Sequence, residues 1–219
     1  MGFDLFDQED PREWTRQQVQ KQFSEFADNE VVGPHCQQCQ YNPSPVIKRG
    51  RIDARLMVVG DYTAPKDQQT NKPFSGPAGD LLKKMLEGIE MDWEEDCYIT
   101  NALLCDGTDK SPRKSSVEAC RENLIRQLDI VTPDVVLAMG KFAAQSLLEL
   151  PSSASLSDHL GYQDHPKNYP WIHLVVTYNP AYLLRLEEGS KEKKVAKQTV
   201  WEHLKSTRSL LEQTENPPD

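Results

Sequence analysis

Four short apolar runs, each closing on glycine or polar residues, set the rhythm of this chain: RLMVVG at 55–60, CYITNALL at 97–104, DVVLAMG at 134–140 and HLVVTYNP at 173–180. Each is too short for an ordinary helix and too continuous for a strand with one wet face. Each therefore predicts a strand buried on both faces of a sheet. Between them the apolar positions return at helical spacing. One helix starts near Gly79 with Leu81, Leu82, Met85 and Leu86 on one face, and others are predicted over 117–131, 141–150 and 195–212. Strands alternating with helices predict an α/β fold with a mostly parallel sheet covered on both faces.

Upstream, Trp14, Val19, Phe23 and Phe26 keep a looser helical period, which predicts an N-terminal helical extension over 1–32 that leads into a cysteine-bearing loop. The main domain then spans 33–212. The polar, proline-bearing tail 213–219 (QTENPPD) reads as disordered, and 152–169 reads as loop. In a parallel sheet ligands sit beyond the carboxyl ends of the strands. The polar residues there are Asp61 and Tyr62 after the first strand, Asn101 in the second, Lys141 after the third and Asn179 after the fourth.

A chain of 219 residues holds one such domain with decorated ends. No apolar stretch approaches the roughly 18 residues that span a bilayer, and the acidic start MGFDLFDQED is unlike a signal peptide, so the expectation is a cytoplasmic protein without membrane contact. The net charge of -9 argues against nucleic acid unless positive charge is gathered on one face. Basic residues do cluster, at Lys48, Arg49, Arg51 and Arg55, at Lys110, Arg113 and Lys114, and at Lys191, Lys193, Lys194 and Lys197. Such clusters permit a DNA-facing surface without requiring one, since solvated charge is their commoner fate.

Five cysteines without a secretion signal point to thiolate chemistry or metal ligation in place of disulfides. Cys36 and Cys39 form a C-x2-C pair, and Cys105 and Cys120 follow much later. That arrangement suits one metal centre, and spacing alone fits zinc as well as an iron-sulfur cluster.

Taken in order, GDYTAPKD, NKPFSGPAGDLL, CYITNALLC, EACRENLIRQL, PDVVLAMGKFAAQSLL and TYNPAYLLR resemble the family 4 uracil-DNA glycosylases, from Cys36 to about Leu211. The resemblance implies a three-layer αβα sandwich around a four-stranded parallel sheet. It also implies a [4Fe-4S] cluster on Cys36, Cys39, Cys105 and Cys120, with Cys97 outside the ligand set. It implies that Phe74 stacks on an extruded base and that Asn101 reads the base edge, with Tyr62 at the pocket wall. The carboxamide of Asn101 offers a donor and an acceptor, and so suits uracil in one rotamer and cytosine in the other. Asp61 stands where the family has Glu, to orient water or to offset charge on the sugar. Pro180, Leu183, Leu184 and Arg185 match the DNA-binding loop, the leucines as wedges and the arginine on phosphate or the opposite base.

Two departures bear on the substrate. The loop 60–65 (GDYTAP) lacks the family's Pro-Gly and inserts Tyr62 and Thr63, and Asn179 stands where the family has His. An amide can donate a hydrogen bond to the base but cannot become a cation. The function expected is a monofunctional glycosylase that leaves an abasic site in DNA, a monomer without a nucleotide cofactor. Its base is uracil, or a modified pyrimidine such as hydroxymethylated or glucosylated cytosine, the latter fitting a role against phage. The competing expectation is a catalytically weakened DNA-binding accessory module of the same fold.

Overall fold

A computed structural model describes residues 10–39, 41, 44–106 and 114–215. The regular elements, in chain order, are α1 (Arg16–Glu25), β1 (Arg49–Gly50), β2 (Leu56–Thr63), α2 (Pro65–Thr70), α3 (Pro77–Glu87), β3 (Cys97–Asp106), α4 (Lys114–Val131), β4 (Val135–Met139), α5 (Lys141–Leu148), β5 (Gly161–Tyr162), β6 (His173–Thr177), α6 (Pro180–Arg185) and α7 (Lys191–Glu215).

The sheet runs β1-β3-β2-β4-β6-β5, six strands where four were expected. The inner four are parallel, and the two extra strands are two-residue pieces that pair antiparallel at the edges. Pieces this short carry no alternation or apolar run, which is why the sequence pattern passes over them. The six-residue α2 is likewise hidden inside a stretch that reads as loop.

Each inner strand is buried on both faces because two apolar layers meet it. Leu56 and Val58 of β2 point with Leu82, Leu86, Leu183, Val200 and Leu204 into a core under α3, α6 and α7. Met57 and Val59 point the other way, with Leu124, Leu128, Ala143 and Leu147, under α4 and α5. The register places Gly60 opposite Asn101, Val59 opposite Ala138 and Met139 opposite Thr177, so the carboxyl ends of four strands finish along one rim.

The N-terminal segment is integral to this packing. Thr15 caps α1 in a capping box with Gln18, and Phe26, fully buried in the π turn that follows, shares a core with Leu104 and Ile130. At the other end α7 continues through residues 213–215, and residues 216–219 of the expected tail lie outside the described residues. Lys110 and Arg113 also lie outside them.

One buried polar chain ties the layers. The Tyr98 hydroxyl donates to Gln127 Oε1 at 2.7 Å, Gln127 donates to the Asn123 carbonyl at 2.9 Å, and Asn123 donates to the Val31 carbonyl at 3.1 Å. Tyr98→Phe strands the Gln127 acceptor in the core, so it should cost about 1–3 kcal/mol. Urea titration should show this as a lowered midpoint at unchanged slope.

Candidate active site

Two glycines make the rim possible. A side chain at Gly60 would overlap Asn101 Oδ1 and crowd the ring of Phe74, so the Phe74 ring and the Asn101 amide meet directly over the bare backbone of β2. Asn101 is 2% exposed, and its Nδ2 has no hydrogen-bond partner. Gly140 has φ +116, and a Cβ there would overlap the carboxylate of Asp61. At Gly60 the close approach alone favours glycine, whereas Gly140 combines close approach with a left-handed φ.

Phe74 itself sits at φ 55, a left-handed conformation that is costly for an aromatic residue and needs support from its surroundings. Asp67 supplies part of it, its Oδ1 accepting from Ser75 N at 2.7 Å and its Oδ2 from Ala64 N at 3.0 Å, which joins the loops on either side of α2. Arg49 supplies the rest. Its guanidinium donates to the Pro73 carbonyl at 3.0 Å and to Ser75 Oγ at 3.2 Å, pairs with Glu94 at 2.6 Å and lies 4.0 Å over the Trp93 ring. Sequence reasoning missed both residues. Arg49 stood in a basic cluster read as a surface feature, yet it is 8% exposed, while its neighbours Arg51 and Arg55 pair with Asp53 and Asp134. A buried arginine has to be matched in all its donors, and that is a tertiary property with no local signature.

Asp61 emerges on the opposite face of β2. Its Oδ1 accepts from Phe142 N at 2.8 Å and Ala143 N at 3.3 Å in the first turn of α5, and its Oδ2 lies 3.4 Å from Asn179 Nδ2. Burial pushes the carboxyl up to about 6, against the lowering effect of those three donors and of the Arg185 charge. It is therefore mostly ionised at neutral pH and close enough to neutrality to accept a proton.

Asn179 has little to spare for a base. Its Oδ1 caps α6 by accepting from Ala181 N at 2.9 Å, and its two amide hydrogens go to the Met139 carbonyl at 3.1 Å and to Asp61. The side chain cross-links the ends of β2, β4 and β6, a different task from the direct donation to the base expected of it. Tyr62 also differs from expectation: its ring leans on Phe142 at 6.3 Å between centroids and packs with Leu103 and Val117 on the cysteine side, away from Phe74. In α6, Pro180 fills the first turn, Leu183 is 1% exposed in the core, and Leu184 is 46% exposed. Of the two leucines expected as wedges, burial leaves only Leu184 able to reach outward, and Arg185 is exposed beside it. The basic run at the start of α7 is partly spent internally, since Lys193 is buried, donates to the Leu186 carbonyl at 3.1 Å and pairs with Glu188.

The four expected ligand cysteines come together. Cys36 and Cys39 at the 3-10 turn Pro34–Gln38, Cys105 late in β3 and Cys120 in α4 line one largely apolar pocket with His35 and Tyr41. Burial pushes the Cys120 thiol up to about 12, and Cys105 is raised by burial and by the neighbouring Cys39 and Cys36. Thiolates in such a place need a positive centre. Among the described residues no three ligand side chains converge on a single ion. A cluster asks for less convergence, because each thiolate binds its own iron. This donor set therefore fits an iron-sulfur cluster. Cys97 lies elsewhere, in the core under α3 and α7.

Comparison with known proteins agrees with this geometry. The sequence profile of the Uracil DNA glycosylase superfamily matches residues 47–205. The chain is 31% identical over 159 residues to a type-4 uracil-DNA glycosylase of Pyrobaculum aerophilum, covering 69% of this chain and 80% of that protein. It is 29% identical over 168 residues to the type-4 enzyme of Thermotoga maritima, covering 71% and 83%. With the type-4 enzyme of Archaeoglobus fulgidus it shares 37% over 102 residues, 46% of this chain and 51% of that one. Among the described residues no helix is long and apolar enough to cross a membrane. A [4Fe-4S] cluster is the expected cofactor of the type-4 group. The chain belongs to the uracil-DNA glycosylase superfamily and is a DNA glycosylase.

Proposed function

We propose that this glycosylase draws a uracil nucleotide out of DNA to the Phe74 ring and the Asn101 amide, hydrolyses its N-glycosidic bond and leaves an abasic site. The observation that carries the reading is the unpartnered Nδ2 of Asn101 beside the Phe74 ring. A buried donor left without an acceptor costs about 1–3 kcal/mol. A uracil stacked on Phe74 removes that cost by offering its O4 to Nδ2, while its N3–H donates to Oδ1. The uracil-DNA glycosylase names of the relatives support the same base.

The chemistry then divides between the two faces of β2. As the C1′–N bond breaks, its electron pair leaves with the base and positive charge develops on the sugar. Negative charge nearby stabilises that state, and Asp61 is the carboxylate at hand. Water adds to C1′ and gives up a proton, which a carboxylate with a pKa of about 6 can take. Asn179 acts as a positioning residue, holding Asp61 Oδ2 and the start of α6 together. Pro180 fixes the α6 backbone, Leu184 fills the space the base leaves, and Arg185 meets phosphate or the opposite base. Cys36, Cys39, Cys105 and Cys120 hold the [4Fe-4S] cluster, which when bound braces the N-terminal turn against β3 and α4 and has no part in bond cleavage.

A modified cytosine is the second reading, favoured by the Tyr62 ring standing away from Phe74 and by the committed amide of Asn179. Mass spectrometry of bases freed from duplexes carrying uracil, hydroxymethylcytosine or glucosylated hydroxymethylcytosine decides between them. Uracil release is expected. Release of only a modified base transfers the assignment to the second reading, and no release at all from any duplex rejects the glycosylase chemistry in favour of a binding module.

Because the Asp61 carboxyl is raised in the folded protein, single-turnover cleavage should fall as pH drops through about 6. Asp61→Asn should slow it by about a hundredfold or more and flatten that limb. The sign for stability is opposite: a raised carboxyl binds its proton more tightly when folded, so folding is favoured below the unfolded value near 3.8 and loses that advantage as pH rises to about 6. Asp61→Asn should therefore melt higher than wild type at pH 8, with the gap closing towards pH 4. Iron analysis tests the cluster ligands: Cys120→Ser should lose the iron and the yellow-brown colour, whereas Cys97→Ser should keep both.

A further inference from the structure

Beside Asp61, a groove runs between α4 and α5, lined by Lys114, Arg121, Lys141, Phe142, Gln145 and Ser152 among others. Phe142 joins the two places, since its ring borders the groove while its N–H holds Asp61 Oδ1. We propose that this groove binds a phosphodiester of the DNA strand that carries the extruded nucleotide. The inference rests on the glycosylase reading above and adds a phosphate site to it.

The argument starts from Arg121, whose side chain is 20% exposed. A guanidinium carries five donors in a planar fork and accepts nothing, so burying one calls for several acceptors. Arg121 finds few. Its contact with the Gln145 carbonyl is 3.5 Å, its approach to Glu149 is 4.0 Å, and its Nε is buried with no partner at all. Glu149 gives its other oxygen to Lys167 at 2.6 Å. A phosphate oxygen in the groove would give the exposed part of this under-matched guanidinium the acceptors it lacks, and a fork of donors matches phosphate geometry.

The surroundings point the same way. Lys141 opens α5 at the groove wall and has no ion pair among the described residues. Lys114 stands at the other end, sharing its charge with Glu118 at 3.4 Å. Five other arginines are already paired: Arg49 with Glu94, Arg51 with Asp53, Arg55 with Asp134, Arg126 with Glu30 and Arg208 with Glu212. A protein of net charge -9 that binds DNA needs local positive charge where the backbone passes. Here that charge includes Lys141, the residue before Phe142, whose N–H holds the carboxylate assigned to the sugar. A phosphate held by Arg121 and Lys141 would anchor the strand on the α5 side, while Arg185 serves the α6 side.

The test is the salt dependence of binding. Fluorescence anisotropy of a labelled, undamaged duplex, titrated from about 50 to about 200 mM salt, gives the slope of log affinity against log salt. Arg121→Gln and Lys141→Gln should each weaken binding about tenfold and flatten the slope by about 0.9 for one lost phosphate contact. Lys205→Gln, the same charge change on an exposed face of α7, should leave the slope as it is. Unchanged slopes in both groove variants overturn the proposal, and if Arg121→Gln does not fold, the part-exposed Lys141→Gln decides alone. Inorganic phosphate that raises the melting temperature of wild type but not of Arg121→Gln, with slopes unchanged, would assign the groove to a free anion and likewise overturn it. Base release from a uracil duplex, read on the same samples, reports on the glycosylase reading separately: flattened slopes without base release would keep the groove and reject the chemistry.

Discussion

A carboxylate withdrawn from water must be met by donors, and at the rim of this sheet the donors for Asp61 come from beyond two neighbouring strand ends. Its own strand β2 brings it there. The turn after β4 offers two backbone N–H groups of α5, and Asn179, after β6, offers its amide. The contact is feasible because Gly140 leaves the space a side chain would take. Satisfying one charge thus fixes how three crossover connections finish relative to one another, and the surfaces that meet DNA inherit that arrangement. The carboxyl remains raised to about 6, so this satisfaction is incomplete. The fold thus retains some electrostatic cost at Asp61, a cost of the kind that clusters at functional sites.

The other face of β2 works by a different constraint. There the Phe74 ring meets the Asn101 amide over Gly60, and the difficulty is to hold Phe74 in a left-handed conformation. Asp67 and Arg49 meet it from opposite sides, using carboxylate acceptors for two loop N–H groups and guanidinium donors for a carbonyl and a hydroxyl. Together they make the loop that carries Phe74 behave as a rigid wall.

Much of this could be read from the chain. The four inner strands announce themselves because burial on both faces leaves a continuous apolar run, and the cysteines gather as their spacing and family resemblance imply. What escaped depends on tertiary context. The side on which Tyr62 falls is decided next to a β-bulge between Tyr62 and Thr63, where the alternation of faces is interrupted. The division of labour between Leu183 and Leu184 depends on how α6 rolls against the core. Arg49 looked like surface charge because nothing local distinguishes a solvated arginine from one enclosed by a carbonyl, a hydroxyl, a carboxylate and an indole.

Gly60 has a consequence for how such an enzyme can change over evolution. With Asn101 and Phe74 closing over it, even one added methyl forces one of those two side chains to move, so an exchange at that position is felt by both at once. Exchanges at Tyr62 and Asn179, whose side chains are anchored elsewhere, leave that contact untouched, so the rim can vary there while Phe74 and Asn101 stay in register.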